Sequence, residues 1–302
     1  MEPVVLYCCS YARDVARAQR MAESVARHNR DGVALYVSAP RTDVALFRDK
    51  LGALATILCR DDILAASPRI DPTRLHAMPG IVQQQVIKAE FWRLGIADTA
   101  VVLDSDCKFI RDFTRADFVA PDGLPYTVMH DGRELLQFAA RHGPRRVTRE
   151  FLKDRLPIMR EMGRDGPVRD YGYAPYVWSR RVWSDLEEKH LAPRGETIAE
   201  AIARHPSEFT WYGEALLRFE GIPIRPRGEL FRFYHYEHQY WVDRRRGIGE
   251  RELARDYLGV AYQSNWETWT DYGPPRKSLP SRVARTMKRA VKHLLVHSAR
   301  AR

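Results

Sequence analysis

The segment AVVLDSDCKFI, residues 100–110, joins a buried-strand pattern to paired negative charge. Its first four residues are apolar, which is typical of a strand in the middle of a parallel sheet. Asp104 and Asp106 follow at once, and because side chains alternate along an extended chain, both carboxylates should lie on the same side. Two carboxylates at the end of a buried strand repel each other and need a neutralising partner.

Around this segment, short apolar runs alternate with amphipathic helical patterns. The predicted strands of the first 110 residues lie at 4–9, 32–40, 55–62 and 100–103, and the predicted helices at 15–29, 44–51 and 80–96. This alternation predicts an α/β fold with a mostly parallel central sheet flanked by helices. Ligands of such sheets bind beyond the carboxyl ends of the strands, which is where Asp104 and Asp106 are expected.

The second half of the chain is less regular. Helices are predicted near 147–162, 180–190 and 207–219, and strands at 173–179, 229–238 and 259–265. The sequence Gly273-Pro274-Pro275 ends this pattern, because glycine and proline together break regular structure. We therefore expect one domain over 1–272 and a separate tail over 273–302.

The composition is that of a globular protein. Of the 302 residues, 45% are hydrophobic and 29% are charged, and no run of about 18 apolar residues indicates a membrane-spanning helix. The first residues lack the basic and apolar regions of a secretory signal peptide. Four cysteines, Cys8, Cys9, Cys59 and Cys107, lie in strand-like runs without CxxC spacing. This usage predicts reduced, buried thiols and a cytoplasmic protein.

Nine of the ten net positive charges belong to the tail. Residues 274–302 hold nine basic and no acidic side chains, which leaves 40 basic against 39 acidic residues in the rest of the chain. Apolar residues recur in the tail at helical spacing, namely Val283, Met287, Val291 and Leu294. A basic amphipathic helix of this kind is typical of binding to an anionic membrane surface. A helix packed on its own domain and a partly disordered basic tail fit the same pattern. No base-reading module is visible, so nucleic acid is not expected as a partner.

The paired aspartates predict a divalent-cation site. Carboxylate oxygens suit hard ions such as Mg²⁺ or Mn²⁺, and such an ion commonly brings a diphosphate as its anionic partner. The cation then stabilises the negative charge that develops on a departing nucleotide diphosphate. We therefore predict Asp104 and Asp106 as metal ligands, with Asp104 also a catalytic candidate. A solvated loop in which one aspartate caps a turn has the same pattern.

A phosphatase of the haloacid dehalogenase type is a second interpretation, with Asp104 as its nucleophile. Those enzymes carry D-x-D after an apolar strand, but usually after the first strand and followed by Thr or Val. Here three predicted strands come first, and Cys107 and Lys108 follow. Asp61 and Asp62 lie upstream, whereas that scheme needs a downstream acidic pair. A non-catalytic protein that binds nucleotide sugars or membranes is a third interpretation.

The order of the motifs resembles that of the GT-A glycosyltransferases, and within them a poorly characterised bacterial family with a Q-Q-x-x-K helix and a D-x-D strand end. The matching motifs are Ser10 and Asp14 after the first strand, GIVQQQVIK (80–88), LDSD (103–106), APYVWS (174–179) and SEFTWYG (207–213). Together they cover about residues 4–265. One departure is Ile81, where that family often carries tryptophan. The resemblance implies a GT-A catalytic domain over 1–272 and a nucleotide-sugar donor.

The resemblance also implies a set of donor-binding residues. In GT-A folds the loop after the first strand meets the nucleoside base and ribose, although Asp14 in that loop also fits the N-cap of the next helix. On the Q-Q-x-x-K helix both glutamines and Lys88 share one face. A lysine beside a D-x-D can neutralise a carboxylate, hold a phosphate or simply be solvated. The predicted donor-binding residues are Ser10, Asp14, Gln84, Gln85, Lys88, Asp104 and Ser105.

Four further residues are candidates for the acceptor side and the metal. Glu208 is a candidate catalytic base that would take the acceptor's proton in an inverting transferase, although an acidic residue at a helix start is also favourable by itself. Tyr212, four residues later, and Tyr173 are predicted at the acceptor site. For Tyr173, core packing is the alternative. His235 is a candidate third metal ligand, but its alternation with aromatic residues favours packing in the core.

These features together predict a metal-dependent glycosyltransferase that moves a sugar from a nucleotide diphosphate to a glycan or lipid-linked acceptor. Its expected cofactor is Mn²⁺ or Mg²⁺. We expect it in the cytoplasm, peripherally associated with the inner face of the membrane through residues 274–302.

Removal of residues 274–302 tests the membrane prediction. Each basic residue near anionic lipid contributes about 1 kcal/mol, so the shortened chain should no longer float with vesicles that contain phosphatidylserine. Neutral phosphatidylcholine vesicles are the control, and neither protein should bind them. Equal binding of the full and shortened chains to anionic vesicles would contradict the prediction.

Overall fold

The computed structural model describes residues 2–130, 151–235, 237–263 and 287. The strands are β1 (Glu2–Cys9), β2 (Leu35–Ala39), β3 (Thr56–Cys59), β4 (Ala97–Leu103), β5 (Cys107–Phe109), β6 (Thr127–Val128), β7 (Tyr176–Ser179), β8 (Pro226–Arg227), β9 (Phe231–Tyr234) and β10 (Gly259–Tyr262). The helices are α1 (Val15–His28), α2 (Val44–Leu51), α3 (Arg60–Ala65), α4 (Pro72–His76), α5 (Gly80–Glu90), α6 (Lys153–Glu161), α7 (Arg180–Leu186), α8 (Ile198–Arg204), α9 (Glu208–Phe219), α10 (Glu237–Arg245) and α11 (Glu250–Leu253).

The central sheet has the strand order β3-β2-β1-β4-β7. The first four strands in this order run parallel, and β7 lies antiparallel to β4. In the register, Leu6 of β1 pairs with Leu35 on one side and with Val101 on the other. Residues 4–9 of β1 are apolar and almost fully buried, as expected for a strand covered on both faces. The predicted α/β fold, with a mostly parallel central sheet flanked by helices, is confirmed.

Helices attach to the sheet through apolar contacts. The buried stripe of α1 repeats at spacings of three and four residues, as one face of a helix does, and it consists of Ala18, Met21, Ala22 and Val25. Phe91, directly after α5, stacks on Tyr7 of β1 with ring centroids 3.8 Å apart. The position of α5 relative to β1 is therefore set by close aromatic packing.

The order in which successive strands are added to the sheet reverses at β1. It adds β2 and β3 on one side of β1 and then returns to add β4 on the other side. In parallel α/β sheets, the carboxyl ends of two such strands open a crevice, because the connections leave them in opposite directions. Ser10 follows β1 and Asp104 follows β4, so both residues lie at this crevice.

A second sheet, with strand order β5-β10-β9, continues from the D-x-D segment. The backbone turns between β4 and β5, where the N–H of Cys107 donates to the carbonyl of Asp104 at 3.0 Å. The N–H of Tyr262, in β10, donates to the carbonyl of Asp106 at 3.2 Å. The segment AVVLDSDCKFI is therefore the end of one sheet, a turn that holds both aspartates, and the start of another sheet.

Several predicted strands were too long: those predicted over 32–40 and 173–179 begin only at Leu35 and Tyr176, and two others end early. The strand predicted over 55–62 ends at Cys59, because Arg60 begins α3 and two aspartates in its first turn suit a helix start. The strand predicted over 229–238 ends at Tyr234, after which α10 begins. Cys59 is also only partly buried, unlike the other three cysteines, and all four thiols are free.

Some predictions fall on residues that the structure does not describe. They are the tail over 273–302, apart from Met287, and the first part of the helix predicted near 147–162. Among the described residues, no helix combines the length and the apolar character that crossing a membrane requires.

Gly213 of α9 lies against the ring of Tyr171. A Cβ at Gly213 would overlap that ring, which cannot easily move because its hydroxyl donates to Glu214 at 2.7 Å. Gly213→Ala should therefore lower the free energy of unfolding by about 1–3 kcal/mol, although alanine favours a helix by about 1 kcal/mol. Urea unfolding measures the change.

Gly80→Ala, at the start of α5, is the matched control. Apart from the adjacent residues and the backbone of its own helix, the described part of the chain has no atom within 4 Å of a Cβ built there, so this variant should be neutral or slightly stabilised. Gly213→Ala with the stability of the unmodified chain would contradict the packing of α9 against Tyr171.

Candidate functional site

A buried lysine lies opposite the paired aspartates. Nζ of Lys88 donates a hydrogen bond to Oδ1 of Asp104 at 2.8 Å and another to Oε1 of Glu208 at 3.3 Å. The side chains of Lys88 and Glu208 are 6% and 4% exposed, whereas that of Asp104 is 29% exposed. Asp104 is therefore the member of this Lys88 cluster (Lys88, Asp104 and Glu208) that solvent reaches most easily.

Three separate elements assemble the Lys88 cluster. Lys88 lies in the last turn of α5, Asp104 follows β4 and Glu208 begins α9. The start of α9 favours a carboxylate because the first N–H groups of a helix are partly positive. The ion pairs join residues 16 and 120 positions apart in the sequence, so they also hold α5, β4 and α9 together.

Burial and charge decide the protonation of the cluster. Burial alone would lower the pKa of Lys88, but Asp104 and Glu208 beside it raise that pKa well above its usual range. Burial raises the pKa of Glu208, Lys88 opposes this rise, and Asp104 adds to it. One charged lysine thus faces two carboxylates, and Glu208 takes up a proton more readily than an ordinary glutamate.

Tyr176 completes the surroundings of the lysine and was not predicted. Its ring centroid lies 5.7 Å from Nζ of Lys88. Burial raises the pKa of the Tyr176 hydroxyl, and the charges of Asp104 and Glu208 raise it further. The signal was present in the sequence, since Tyr176 belongs to the APYVWS motif, but nothing local connects that motif to Lys88.

Both predicted glutamines hydrogen-bond to backbone carbonyls. Nε2 of Gln84 donates to the carbonyl of Cys9 at 2.9 Å, and Nε2 of Gln85 donates to the carbonyl of Pro206 at 3.4 Å. These bonds tie α5 to the end of β1 and to the segment before α9. They fix the position of the helix that carries Lys88. A direct contact of either glutamine with the nucleotide-sugar donor stays a prediction.

Ser10 and Asp14 lie after β1, as predicted, and each has partners within the protein. Ser10 is fully buried; its N–H donates to the carbonyl of Ser38 at 2.9 Å, and its carbonyl accepts from Nη2 of Arg60 at 2.7 Å. Asp14 stands at the N-cap of α1 without a capping hydrogen bond and pairs with Arg17 at 2.5 Å.

Arg60, the partner of the Ser10 carbonyl, was not among the predicted site residues, because the strand before it was predicted to run past it.

The turn of Asp104, Ser105 and Asp106 supplies the candidate metal ligands. Asp104 and Ser105 are partly exposed, and Asp106 is buried. Within the described ranges, no three His, Cys, Asp or Glu side chains form a group that could hold a metal. Mg²⁺ commonly uses one or two protein carboxylates and takes its other ligands from water and substrate phosphates. The two carboxylates of this turn therefore fit such an ion when a diphosphate accompanies it. The hydrogen bond from Lys88 uses Oδ1 of Asp104, which leaves Oδ2 of that carboxylate outside this hydrogen bond.

Tyr173 and His235 lie together against β9. The ring of Tyr173 stacks on Phe233 with centroids 4.2 Å apart and lies 5.7 Å from the ring of His235. His235 therefore has the aromatic neighbours that its alternation with Phe233 indicated. It joins no three-residue metal group in the part of the chain that the structure describes, so its role as a ligand stays a prediction.

Tyr212 lies in an aromatic part of the core. Its hydroxyl accepts a hydrogen bond from the N–H of Ser179 at 2.8 Å. Its ring lies 5.7 Å from Trp178 and 5.4 Å from Trp183, between centroids. Tyr212 is therefore packed in the core, and its contact with an acceptor stays a prediction.

Comparisons with known proteins give a family. The model of a family of unknown function, DUF6492, matches residues 3–246, so the chain belongs to that family. No curated relative matches the sequence. Among solved structures, the chain is similar to the apo form of mouse xyloside xylosyltransferase 1, with 12% identity, a TM-score of 0.45 and coverage of 87% of this chain and 98% of that one. A similarity of this size supports no conclusion about the present chain.

Replacing Lys88 by methionine would leave two carboxylates without their cation. Removing one partner of a buried ion pair typically costs about 3–5 kcal/mol, and we expect a loss of this size in the free energy of unfolding at pH 7.5. Burial already raises the pKa of Glu208, and without Lys88 it should rise further. The folded variant would then bind protons more tightly than the unfolded chain, so its stability relative to the unmodified protein should recover as the pH falls.

Urea unfolding at several pH values between about 5 and 8 measures both effects. Lys50→Met is the matched control, because Lys50 is 49% exposed and pairs with Asp49 at the surface. This control should change the free energy of unfolding by less than about 0.5 kcal/mol at every pH. A stability loss in Lys88→Met that grows on acidification would contradict the charge arrangement.

Proposed function

We propose that this member of the DUF6492 family is a metal-dependent glycosyltransferase of the GT-A type. It would move a sugar from a nucleotide diphosphate donor to a glycan or lipid-linked acceptor. The observation that carries the proposal is the Lys88 cluster at the crevice between β1 and β4, where Asp104 is held in place and remains open to solvent.

The position of the cluster favours a nucleotide ligand. In parallel α/β sheets, ligands bind outside the carboxyl ends of the strands at the point where the strand order reverses. Asp104 follows β4 at this point, and Ser10 follows the neighbouring β1. A nucleotide in the crevice would therefore meet both the D-x-D turn and the end of β1.

The charges of the crevice favour a divalent cation together with the donor. Asp104, Asp106 and Glu208 are acidic, and Lys88 already neutralises part of their charge through two ion pairs. Asp104 and Asp106 would hold Mn²⁺ or Mg²⁺ jointly with the donor's diphosphate. The bound cation would supply positive charge that stabilises the departing diphosphate.

The protein's own groups would position the reactants and accept a proton. Lys88 fixes one oxygen of Asp104 and so holds the orientation of that carboxylate. Glu208 is the candidate general base, because its raised pKa brings it closer to the range in which a base works well near neutral pH. Tyr173 is partly exposed and stacks on the buried ring of Phe233, so its ring would offer an apolar surface for a sugar acceptor.

The tail and the cellular location belong to the same proposal. A lipid-linked acceptor would lie at a membrane surface, and the basic residues of 274–302 would bring the protein to anionic lipid. We place the protein in the cytoplasm, at the inner face of that membrane.

Calorimetric titration with a panel of nucleotide sugars, with and without Mn²⁺, tests the proposal. The unmodified protein should bind at least one of them, and this binding should depend on the metal. Asp106→Asn should weaken the metal-dependent binding at least about tenfold, because it removes a charged ligand. Asp98→Asn is the matched control, since Asp98 is 65% exposed near the other end of β4, and it should bind as the unmodified protein does.

Two results would contradict the proposal. The first is the absence of any metal-dependent binding of a nucleotide sugar. The second is a covalent phosphoryl group on Asp104 that Asp104→Asn removes, which would favour the phosphatase. Binding without sugar transfer to any acceptor would instead favour the non-catalytic binding protein.

A further inference from the structure

Arg60 reaches across the carboxyl edge of the central sheet. It follows β3 directly as the first residue of α3, yet its Nη2 donates to the carbonyl of Ser10, after β1, at 2.7 Å. Since β2 lies between β3 and β1, the side chain spans the end of β2. The guanidinium group is thus held beside the strand that borders the crevice.

The charge of Arg60 is not neutralised by a carboxylate in the part of the chain that the structure describes. Its hydrogen bond there goes to a neutral backbone carbonyl, and its Nε is buried without a hydrogen-bond partner. The neighbouring Asp61 pairs instead with Arg41 at 2.7 Å. A partly buried guanidinium group without a carboxylate partner favours the binding of an anion, to which its N–H groups can donate hydrogen bonds.

A second polar group at the same place also lacks a partner. Ser10 is fully buried, and its hydroxyl oxygen forms no hydrogen bond within the described ranges. Buried hydroxyl groups are normally hydrogen-bonded. Among the described residues, Nε of Arg60 and Oγ of Ser10 are therefore two buried polar atoms without hydrogen-bond partners near the end of β1.

The charges at the crevice leave a role for Arg60 as a second cation that binds the diphosphate. Lys88, the cation on the β4 side, is shared by Asp104 and Glu208. A diphosphate adds more negative charge, and Lys88 is already engaged. A guanidinium group binds phosphate through two parallel hydrogen bonds, which a lysine ammonium cannot do.

We infer that Arg60 binds a phosphate group of the donor's diphosphate from the β1 side of the crevice, with the Ser10 hydroxyl as an additional polar contact. This inference rests on the proposed function and names a residue that fixes the donor. Arg60 and the D-x-D turn would then hold the diphosphate from its two sides. In this arrangement Arg60 would contact the diphosphate and not the nucleoside.

Calorimetric titration of the full chain in the presence of Mn²⁺ tests the inference. The probes are UDP, GDP, ADP and CDP, each compared with its own nucleoside. For the diphosphate that the unmodified protein binds, Arg60→Gln should weaken binding about tenfold or more, since a charged hydrogen bond is lost. Affinity for the matching nucleoside should stay within about twofold.

Two further variants make the test specific. Arg30→Gln removes the same charge at an exposed pair with Asp112, after the far end of α1, and should leave diphosphate affinity unchanged. Arg60→Lys keeps the charge and loses the fork of donors, so its diphosphate affinity should lie between those of the unmodified chain and Arg60→Gln. Thermal unfolding shows which variants are folded. If Arg60→Gln does not fold, the diphosphate affinity of Arg60→Lys is compared with that of the unmodified chain instead.

The outcomes separate this inference from the proposed function. If the unmodified protein binds a diphosphate and every folded Arg60 variant binds it equally well, the inference fails and the glycosyltransferase proposal stands. Equal losses for diphosphate and nucleoside would show that Arg60 contacts the nucleoside, which also overturns the inference. If the unmodified protein binds no nucleotide or nucleotide sugar at all, both proposals fail.

Discussion

The structure depends on one buried cation. Lys88 is almost completely removed from solvent and is shared between Asp104 and Glu208. Removing a charge from water is costly unless partners of opposite charge surround it. The three residues come from α5, the end of β4 and the start of α9, so the position of each element is coupled to the others. The same cluster leaves Asp104 partly exposed in the crevice, where its charge can act on a ligand.

The topology of the sheet places this cation beside a crevice in which a ligand can bind. Because the chain builds β2 and β3 on one side of β1 and β4 on the other, the ends of β1 and β4 are adjacent and their connections diverge. The D-x-D turn, which also connects to the second sheet, lies on one side of the crevice. Ser10 and Arg60, joined by a hydrogen bond, lie on the other. The proposed binding of a diphosphate between them uses both sides.

The sequence predicted the parallel sheet and the place of Asp104 correctly, because both depend on local patterns of apolar residues. For the partner of Asp104 the sequence left two candidates, a metal ion and Lys88, and the structure shows the hydrogen bond to Lys88. This pairing joins distant parts of the chain, and a helix pattern does not show which side chain ends beside which strand. The residues alone therefore left a solvated Lys88 as an equal alternative, and the family resemblance favoured a role in the site.

The sequence did not show the surroundings of Arg60 and Tyr212, for related physical reasons. Arg60 was assigned to a strand because the predicted strand was extended past Cys59 into charged residues, although the two following aspartates favour a helix start. For Tyr212, the sequence could not show that its hydroxyl meets the backbone of Ser179 on another element. The aromatic neighbours of His235 were foreseen, since alternation along a strand is local. Contacts between elements decide these roles, and one sequence by itself does not contain them.

A crystal structure of the protein with Mn²⁺ and the nucleoside diphosphate it binds is the most direct test of the proposed site. We expect the diphosphate between the ends of β1 and β4, the ion on Asp104 and Asp106, and Lys88 still hydrogen-bonded to Asp104 and Glu208. A nucleotide bound elsewhere on the protein, or an ion with neither aspartate among its ligands, would contradict it.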